Sequence, residues 1–266
     1  AMYDDKTGIY EYGYIDKRGE YEIVPQFEYA TDFAENGLAL ACENGKYGYI
    51  DKDGDWAIEP VYDHAYKFEE DYAAVGKVID GIIKYGFVNK KGDIVVECQF
   101  DDVKSFSNGL AAVHKNGKWG YINPKGEIVI PLIYDFVKPF KNELAIVLKE
   151  GKYGVVNTKG KEVVPCIYDE IINASDLESK EVTNQFVIVR KEEKYGVANT
   201  KGKEIIPCIY DDKNEFLFKG GFVLLQKESK FGIINENGKQ ITQYIYNDIR
   251  DIDISEGLIR IEKDGK

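Results

Sequence analysis

The run Lys118-Trp119-Gly120-Tyr121-Ile122-Asn123-Pro124-Lys125-Gly126 decides how this chain is read. It reads as a strand carrying an aromatic-glycine step, followed by a turn with Asn first, Pro second and Gly where positive φ is wanted. That is a type I turn with a glycine bulge. The same pattern recurs with its first glycine at Gly13, Gly48, Gly86, Gly120, Gly154, Gly196 and Gly232. Each glycine follows an aromatic: Tyr12, Tyr47, Tyr85, Trp119, Tyr153, Tyr195 and Phe231. A turn Asp or Asn comes three residues later, and a second glycine six residues later (Gly19, Gly54, Gly92, Gly126, Gly160, Gly202, Gly238). A late aromatic then precedes an acid or its amide: Phe27-Glu28, Tyr62-Asp63, Phe100-Asp101, Tyr134-Asp135, Tyr168-Asp169, Tyr210-Asp211 and Tyr246-Asn247. Seven copies in fixed frame make this a repeat architecture.

Successive first glycines lie 35, 38, 34, 34, 42 and 36 residues apart, so all length variation falls in the connections. Surface connections tolerate insertion and packed strands do not. Each unit predicts a short apolar strand (Leu110–His114), a tight turn (Lys115–Lys118), the aromatic-glycine strand and a third strand ending near Pro131. Tyr134–Phe140 reads as a fourth short strand or an ordered loop. Apolar residues occupy both faces, which requires neighbouring sheets on both sides. The strand glycine is then expected to make room for a large ring from the next unit.

The expected fold is therefore all-β: seven tandem β-meander repeats of 34–42 residues in one domain spanning 1–266. The chain opens on Ile9–Ile15, read as a middle strand with none before it. It closes on Leu258–Ile261, read as a first strand with no middle strand after it. These ends are complementary. They predict a seven-bladed, propeller-like ring in which the C-terminal strand pairs with the N-terminal one. An open β-superhelix or solenoid is the alternative.

The runs Lys118–Pro131 and Phe106–Val113 resemble the bacterial WG-repeat (KWG) family, and the likeness extends over nearly the whole chain. Most units replace the family's Trp by Tyr or Phe, and only Trp119 keeps it. The resemblance implies bacterial origin and an all-β repeat fold. It implies roles in protein interaction or envelope-associated binding, and carries over no catalytic residue.

With 47 acidic residues against 35 basic ones, the net charge is -12. Such a surface repels phosphate backbones and disfavours nucleic acid as a partner. No run of 18 or so apolar residues suggests membrane insertion, and the N-terminus has no signal-peptide pattern. Ala1 before Met2 reads as a cloning junction, which leaves open whether a native signal or further domains have been removed. Cys42, Cys98, Cys166 and Cys208 lack zinc spacing and read as free, buried thiols. They favour the cytoplasm weakly, with an exported fragment as the alternative; a monomer is the simplest expectation.

His64 and His114 are the only histidines, which leaves little material for a nucleophilic triad or a histidine-based metal site. No cofactor motif is present. The repeated acids Asp63, Asp101, Asp135, Asp169 and Asp211 suit either a ring of carboxylates or turn-capping residues, and repetition favours capping. Unit-specific insertions are the better binding candidates. One is the hairpin Gly76–Lys84, with Asp80 and Lys84. The other is the connection Asn173–Gln185, with Asp176, Glu178, Lys180 and Glu181. The expected function is a non-enzymatic module binding a protein, peptide or glycan. The alternatives are a polysaccharide hydrolase or lyase, and a structural segment of a longer repeat protein.

Overall fold

The computed structural model describes residues 2–4, 9–173, 186–219, 222–227, 230–235 and 237–245. Among the described residues the chain is all-β, with seven antiparallel sheets and a 3-10 turn at Lys213–Glu215. It divides into two compact units, Ala1–Lys141 and Asn142–Lys266.

The first unit opens with a three-stranded sheet of β1 (Met2–Asp4), β2 (Ile9–Ile15) and β3 (Tyr21–Phe27). A strand does precede Ile9. Met2, Tyr3 and Asp4 pair with Glu11, Tyr10 and Ile9, because a ladder of backbone bonds does not need an apolar run. The ring-closing strand Leu258–Ile261 and the acids and lysine Asp176, Glu178, Lys180 and Glu181 lie outside the described residues.

The second sheet shows the general plan. Strands β4 (Tyr29–Ala30), β5 (Ala39–Glu43), β6 (Lys46–Ile50) and β7 (Trp56–Tyr62) pair in that order. The third sheet holds β8 (His64–Ala65), β9 (Tyr72–Ile79), β10 (Ile82–Asn89) and β11 (Ile94–Phe100). The fourth holds β12 (Asp102–Ser107), β13 (Leu110–Lys115), β14 (Lys118–Ile122) and β15 (Ile128–Tyr134), and β16 is Phe136–Val137. The segments after Phe27, Tyr62 and Phe100 are thus outer strands on the first strand of the following repeat.

In the second unit, β17 (Leu144–Lys149), β18 (Lys152–Asn157) and β19 (Glu162–Tyr168) form one meander. β20 (Glu170–Asn173), β21 (Phe186–Lys191), β22 (Lys194–Asn199) and β23 (Glu204–Tyr210) form the next. The last described sheet is β24 (Phe216–Lys219), β25 (Phe222–Lys227) and β26 (Lys230–Asn235).

Within each unit the cores lie between consecutive sheets. Tyr49, Ile58 and Tyr62 of the second sheet pack against Ala73, Val75 and Val88 of the third. The other face of the third sheet gives Ala74, Phe87, Val96 and Phe100 to a core with Ala111, Val113 and Ile122. The second unit repeats the arrangement, with Ile146, Val155 and Val164 against Val187, Val189 and Ala198. This two-sided burial follows from the apolar doublets in the first and middle strands, which strict alternation would not supply.

The strand glycine has a different cause from the one expected. Trp119 pairs with Tyr134 and Tyr121 with Ile130, so β15 carries two more residues than β14 between these pairs. That bulge folds over Gly120, where a Cβ would lie 2.5 Å from the Ile130 carbonyl oxygen. Gly48 meets Ile58 and Pro60 in the same way, and Gly196 meets Ile206 and Cys208. The space is filled by the sheet's own backbone, not by a neighbour's ring. Pro60, Pro131 and Pro207 sit in these bulges, where a residue without an N–H disturbs the ladder least.

The turns follow the sequence expectation. Asn123 Oδ1 accepts from the N–H groups of Lys125 and Glu127, each at 3.0 Å, and Gly126 N–H donates to the Asn123 carbonyl at 2.9 Å. Asp51 and Asn157 do the same in their repeats.

Candidate aromatic binding face

The repeated acids are held by the framework. Lys46 pairs with Asp63, Lys118 with Asp135, Lys152 with Asp169 and Lys194 with Asp211. Lys84 joins this series by pairing with Asp101 at 2.5 Å, so it belongs to the frame and not to the insertion alone. The second carboxylate oxygen accepts from the following hairpin: Val78 N–H reaches Asp63 at 2.7 Å, Asn116 reaches Asp101 at 3.0 Å and Glu192 reaches Asp169 at 2.8 Å. Glu28 accepts likewise from Gly45 N–H at 2.9 Å. Glu28, Asp101 and Asp169 thus cap the turn of the following repeat instead of their own, and Asp63 holds the strand leading into its longer hairpin. The lysine partner first, with the backbone donor, holds Asp63, Asp101 and Asp169 below the usual carboxylate range. A carboxyl kept ionised cannot serve as a general acid at neutral pH.

The longer hairpin of the third repeat is built from strand, not loop. Its turn is the two residues Asp80 and Gly81, with φ of 53° and 77°, as a type I′ turn requires. The added length forms two further pairs, Val78 with Ile83 and Ile79 with Ile82. Val78, Ile79 and Ile82 are exposed there. β11 pairs no further than Phe100 opposite Tyr85, so Ile82–Lys84 has a ladder partner on one side only.

Beside this hairpin runs a row of rings. Tyr12 lies 5.9 Å from Tyr29, Tyr29 lies 6.3 Å from Tyr47, and Tyr47 lies 6.2 Å from His64. His64 lies 4.9 Å from Tyr66 and 5.7 Å from Tyr85. Two sequence positions supply most of the row. Tyr12, Tyr47 and Tyr85 are frame aromatics, while Tyr29 and His64 each follow a repeated acid. The frame aromatics are half-buried against the core, whereas Tyr29 is 42% and Tyr66 is 38% exposed.

Gly76 closes this cluster. It stands opposite Tyr85, where the other repeats place Cys42, His114, Leu148, Arg190 and Gln226. A Cβ at Gly76 would lie 3.0 Å from Ile83, 3.1 Å from Tyr85 and 3.2 Å from His64. The missing side chain lets those three groups converge. His64 Nδ1 is buried in the cluster without a hydrogen-bond partner. One repeat further on, the Lys104 ammonium lies 5.2 Å from the Trp119 ring and 5.8 Å from the Phe136 ring. His114 lies 5.0 Å from Trp119 on the adjacent strand.

Of the sequence candidates, the structure brings Asp80 and Lys84 onto one hairpin, with Lys84 turned to Asp101. Sequence reasoning passed over the residue after each acid. Its variation through Tyr29, His64, Asp102, Phe136, Glu170 and Asp212 was the available signal. The four cysteines are free, Cys42 buried and the others half-buried, and burial raises their thiols, those of Cys42, Cys166 and Cys208 to about 11.

Among solved structures, the chain is similar to one titled a eukaryotic initiation factor, at 11% identity and TM-score 0.43, covering 85% of this chain and 68% of that one. It is similar to Kluyveromyces lactis Hsv2 at 9% identity and TM-score 0.38, covering 80% and 77%. A protein of unknown function from Bacteroides caccae matches at 17% identity and TM-score 0.31, covering 79% and 92%. No curated protein matches. A family model described as the WG containing repeat matches seven times, at residues 12–47, 47–77, 85–119, 119–153, 153–176, 195–231 and 231–266, and the chain belongs to that family.

Proposed function

We propose that this chain is a non-enzymatic binding module whose first unit holds an extended polypeptide along the Tyr12–Tyr85 row. The observation that carries this reading is the run of partly exposed rings over three consecutive repeats beside a strand edge that is open at Ile82–Lys84. Tyrosine rings give large contact area at low conformational cost, and an open edge can pair with an incoming main chain. The rings meet at 58°, 70°, 62° and 86° to one another. They form clefts suited to side chains rather than the coplanar platform on which sugar rings stack. The ion-paired Asp63, Asp101 and Asp169 speak against the carboxylate-based hydrolase or lyase.

The test is to probe peptide and glycan arrays with the chain and with a Tyr29→Ser/Tyr66→Ser variant. Peptide signals that fall by about tenfold in the variant support the reading. Signals confined to glycans, or peptide signals indifferent to both substitutions, overturn it.

A further inference from the structure

We infer that the partner peptide is cationic, and that one of its Arg or Lys side chains binds at Tyr66, Tyr85 and Asp102. This inference rests on the peptide-binding reading of the same row. It comes from two sites that occupy matching positions in successive repeats. Tyr66 and Lys104 each stand three residues after the repeated acid, Tyr85 and Trp119 are frame aromatics, and Asp102 and Phe136 each follow the next acid. At the later site the chain supplies its own cation. Lys104 lies within 5.2 Å of Trp119 and 5.8 Å of Phe136, inside the range in which an ammonium is attracted to a ring face. At the earlier site the cation is replaced by Tyr66, 6.1 Å from Tyr85, and one ring is replaced by the Asp102 carboxylate. Two rings and an acid are therefore present where the related site has two rings and a lysine.

Asp102 is exposed, its Oδ1 accepts from Val103 N–H at 2.8 Å, and it makes no ion pair among the described residues. Burial first, then Tyr85 and the charge of Asp102, raise the Tyr66 hydroxyl, and the last of these places the Asp102 carboxylate within electrostatic reach of that ring. The net charge of -12 acts in the same sense over a longer range. A guanidinium or ammonium entering here meets a carboxylate and two π faces, with its stem against the exposed ring of Tyr66.

Fluorescein-labelled (Gly-Arg)4, (Gly-Lys)4 and (Gly-Gln)4 provide the test, read by fluorescence anisotropy. Asp102→Asn and Asp53→Asn change the net charge equally, but Asp53 lies in a distant turn of the frame. Asp102→Asn should weaken (Gly-Arg)4 by about tenfold, and Asp53→Asn by less than about twofold. Tyr66→Lys, which puts a lysine at the position matching Lys104 beside Tyr85 and Asp102, should abolish binding by supplying the cation internally. Equal losses with Asp102→Asn and Asp53→Asn would mean bulk electrostatics and overturn the inference. If (Gly-Gln)4 binds as well as (Gly-Arg)4 and is lost in Tyr29→Ser/Tyr66→Ser, the cation fails while the peptide-binding row stands. If none of the three peptides binds, the cationic assignment falls, and the array result decides the row.

Discussion

The Tyr49 hydroxyl donates to the Tyr66 carbonyl at 2.8 Å, seventeen residues along the chain. It ties a fully buried middle-strand ring to the backbone of an exposed tyrosine in the candidate face. Tyr14 does the same to Thr31, and Tyr121 to Lys138, each at 2.7 Å. The core of one sheet thereby sets where the surface segment of the next lies. Tyr49→Phe should cost about 1 kcal/mol in urea unfolding, because a part-buried hydrogen bond is lost. It should also broaden the Tyr66 ring signals in NMR spectra. A variant as stable as the parent, with unchanged Tyr66 signals, would remove this link between core and face.

Two glycines should respond differently to the same change. Gly120→Ala forces a Cβ to 2.5 Å from the Ile130 carbonyl, and both partners are backbone. A loss of about 2–4 kcal/mol in denaturant midpoint analysis is expected. Gly76→Ala meets only side chains, at 3.0 Å and beyond. It should cost about 1 kcal/mol or less while displacing His64 and Tyr85, visible as changed ring-to-ring NOEs. Similar costs at both sites would contradict the assignment of one glycine to the bulge and the other to the cluster.

Acid should loosen the frame. Asp63, Asp101 and Asp169 have folded pKa values below their unfolded ones, first through lysine and then through hairpin N–H donors. Their stabilisation is therefore complete above the unfolded value of about 4 and is lost as pH falls through the lower folded value. The thermal midpoint should be flat from neutral pH to about pH 5 and fall below that. Asp63→Asn/Asp101→Asn/Asp169→Asn should lower the midpoint at neutral pH and flatten the acid limb. An acid limb of unchanged steepness in this variant would place the sensitivity elsewhere.

The thiols should be sluggish. Burial first, with nearby glutamates, raises Cys42, Cys166 and Cys208 to about 11. At pH 7.5 their thiolate fraction is small, so iodoacetamide should label them at least about tenfold more slowly than it labels the unfolded chain. Mass spectrometry of the labelled protein reads this directly. Rapid labelling of all three in the folded state would contradict the raised thiols.

Much of the local structure is written in short stretches. The Asn-Pro-Lys-Gly turn at Asn123 needs only a side-chain acceptor and a residue tolerant of positive φ. Asp80-Gly81 is legible as a hairpin turn in the same way. Two relationships lie beyond short stretches for one reason. The close approach at Gly120 comes from a two-residue bulge in β15 instead of a neighbour's ring, and a bulge is a register property, visible only when two strands are paired. The capping role of the repeated acids is legible, but which N–H groups they hold is not, because those donors, such as Val78 for Asp63, lie fifteen or more residues away.

The sequence alone determined an all-β chain of seven meanders, because strand periodicity, turn chemistry and repeat spacing act over a few residues. The tertiary structure alone decided which side chains meet. Tyr29 and Tyr47 meet across one sheet and His64 and Tyr85 across the next, and only stacking those two sheets brings the rings of Tyr47 and His64 to 6.2 Å. Gly76 acquires its meaning there too, since the space it leaves exists only once His64, Ile83 and Tyr85 surround it.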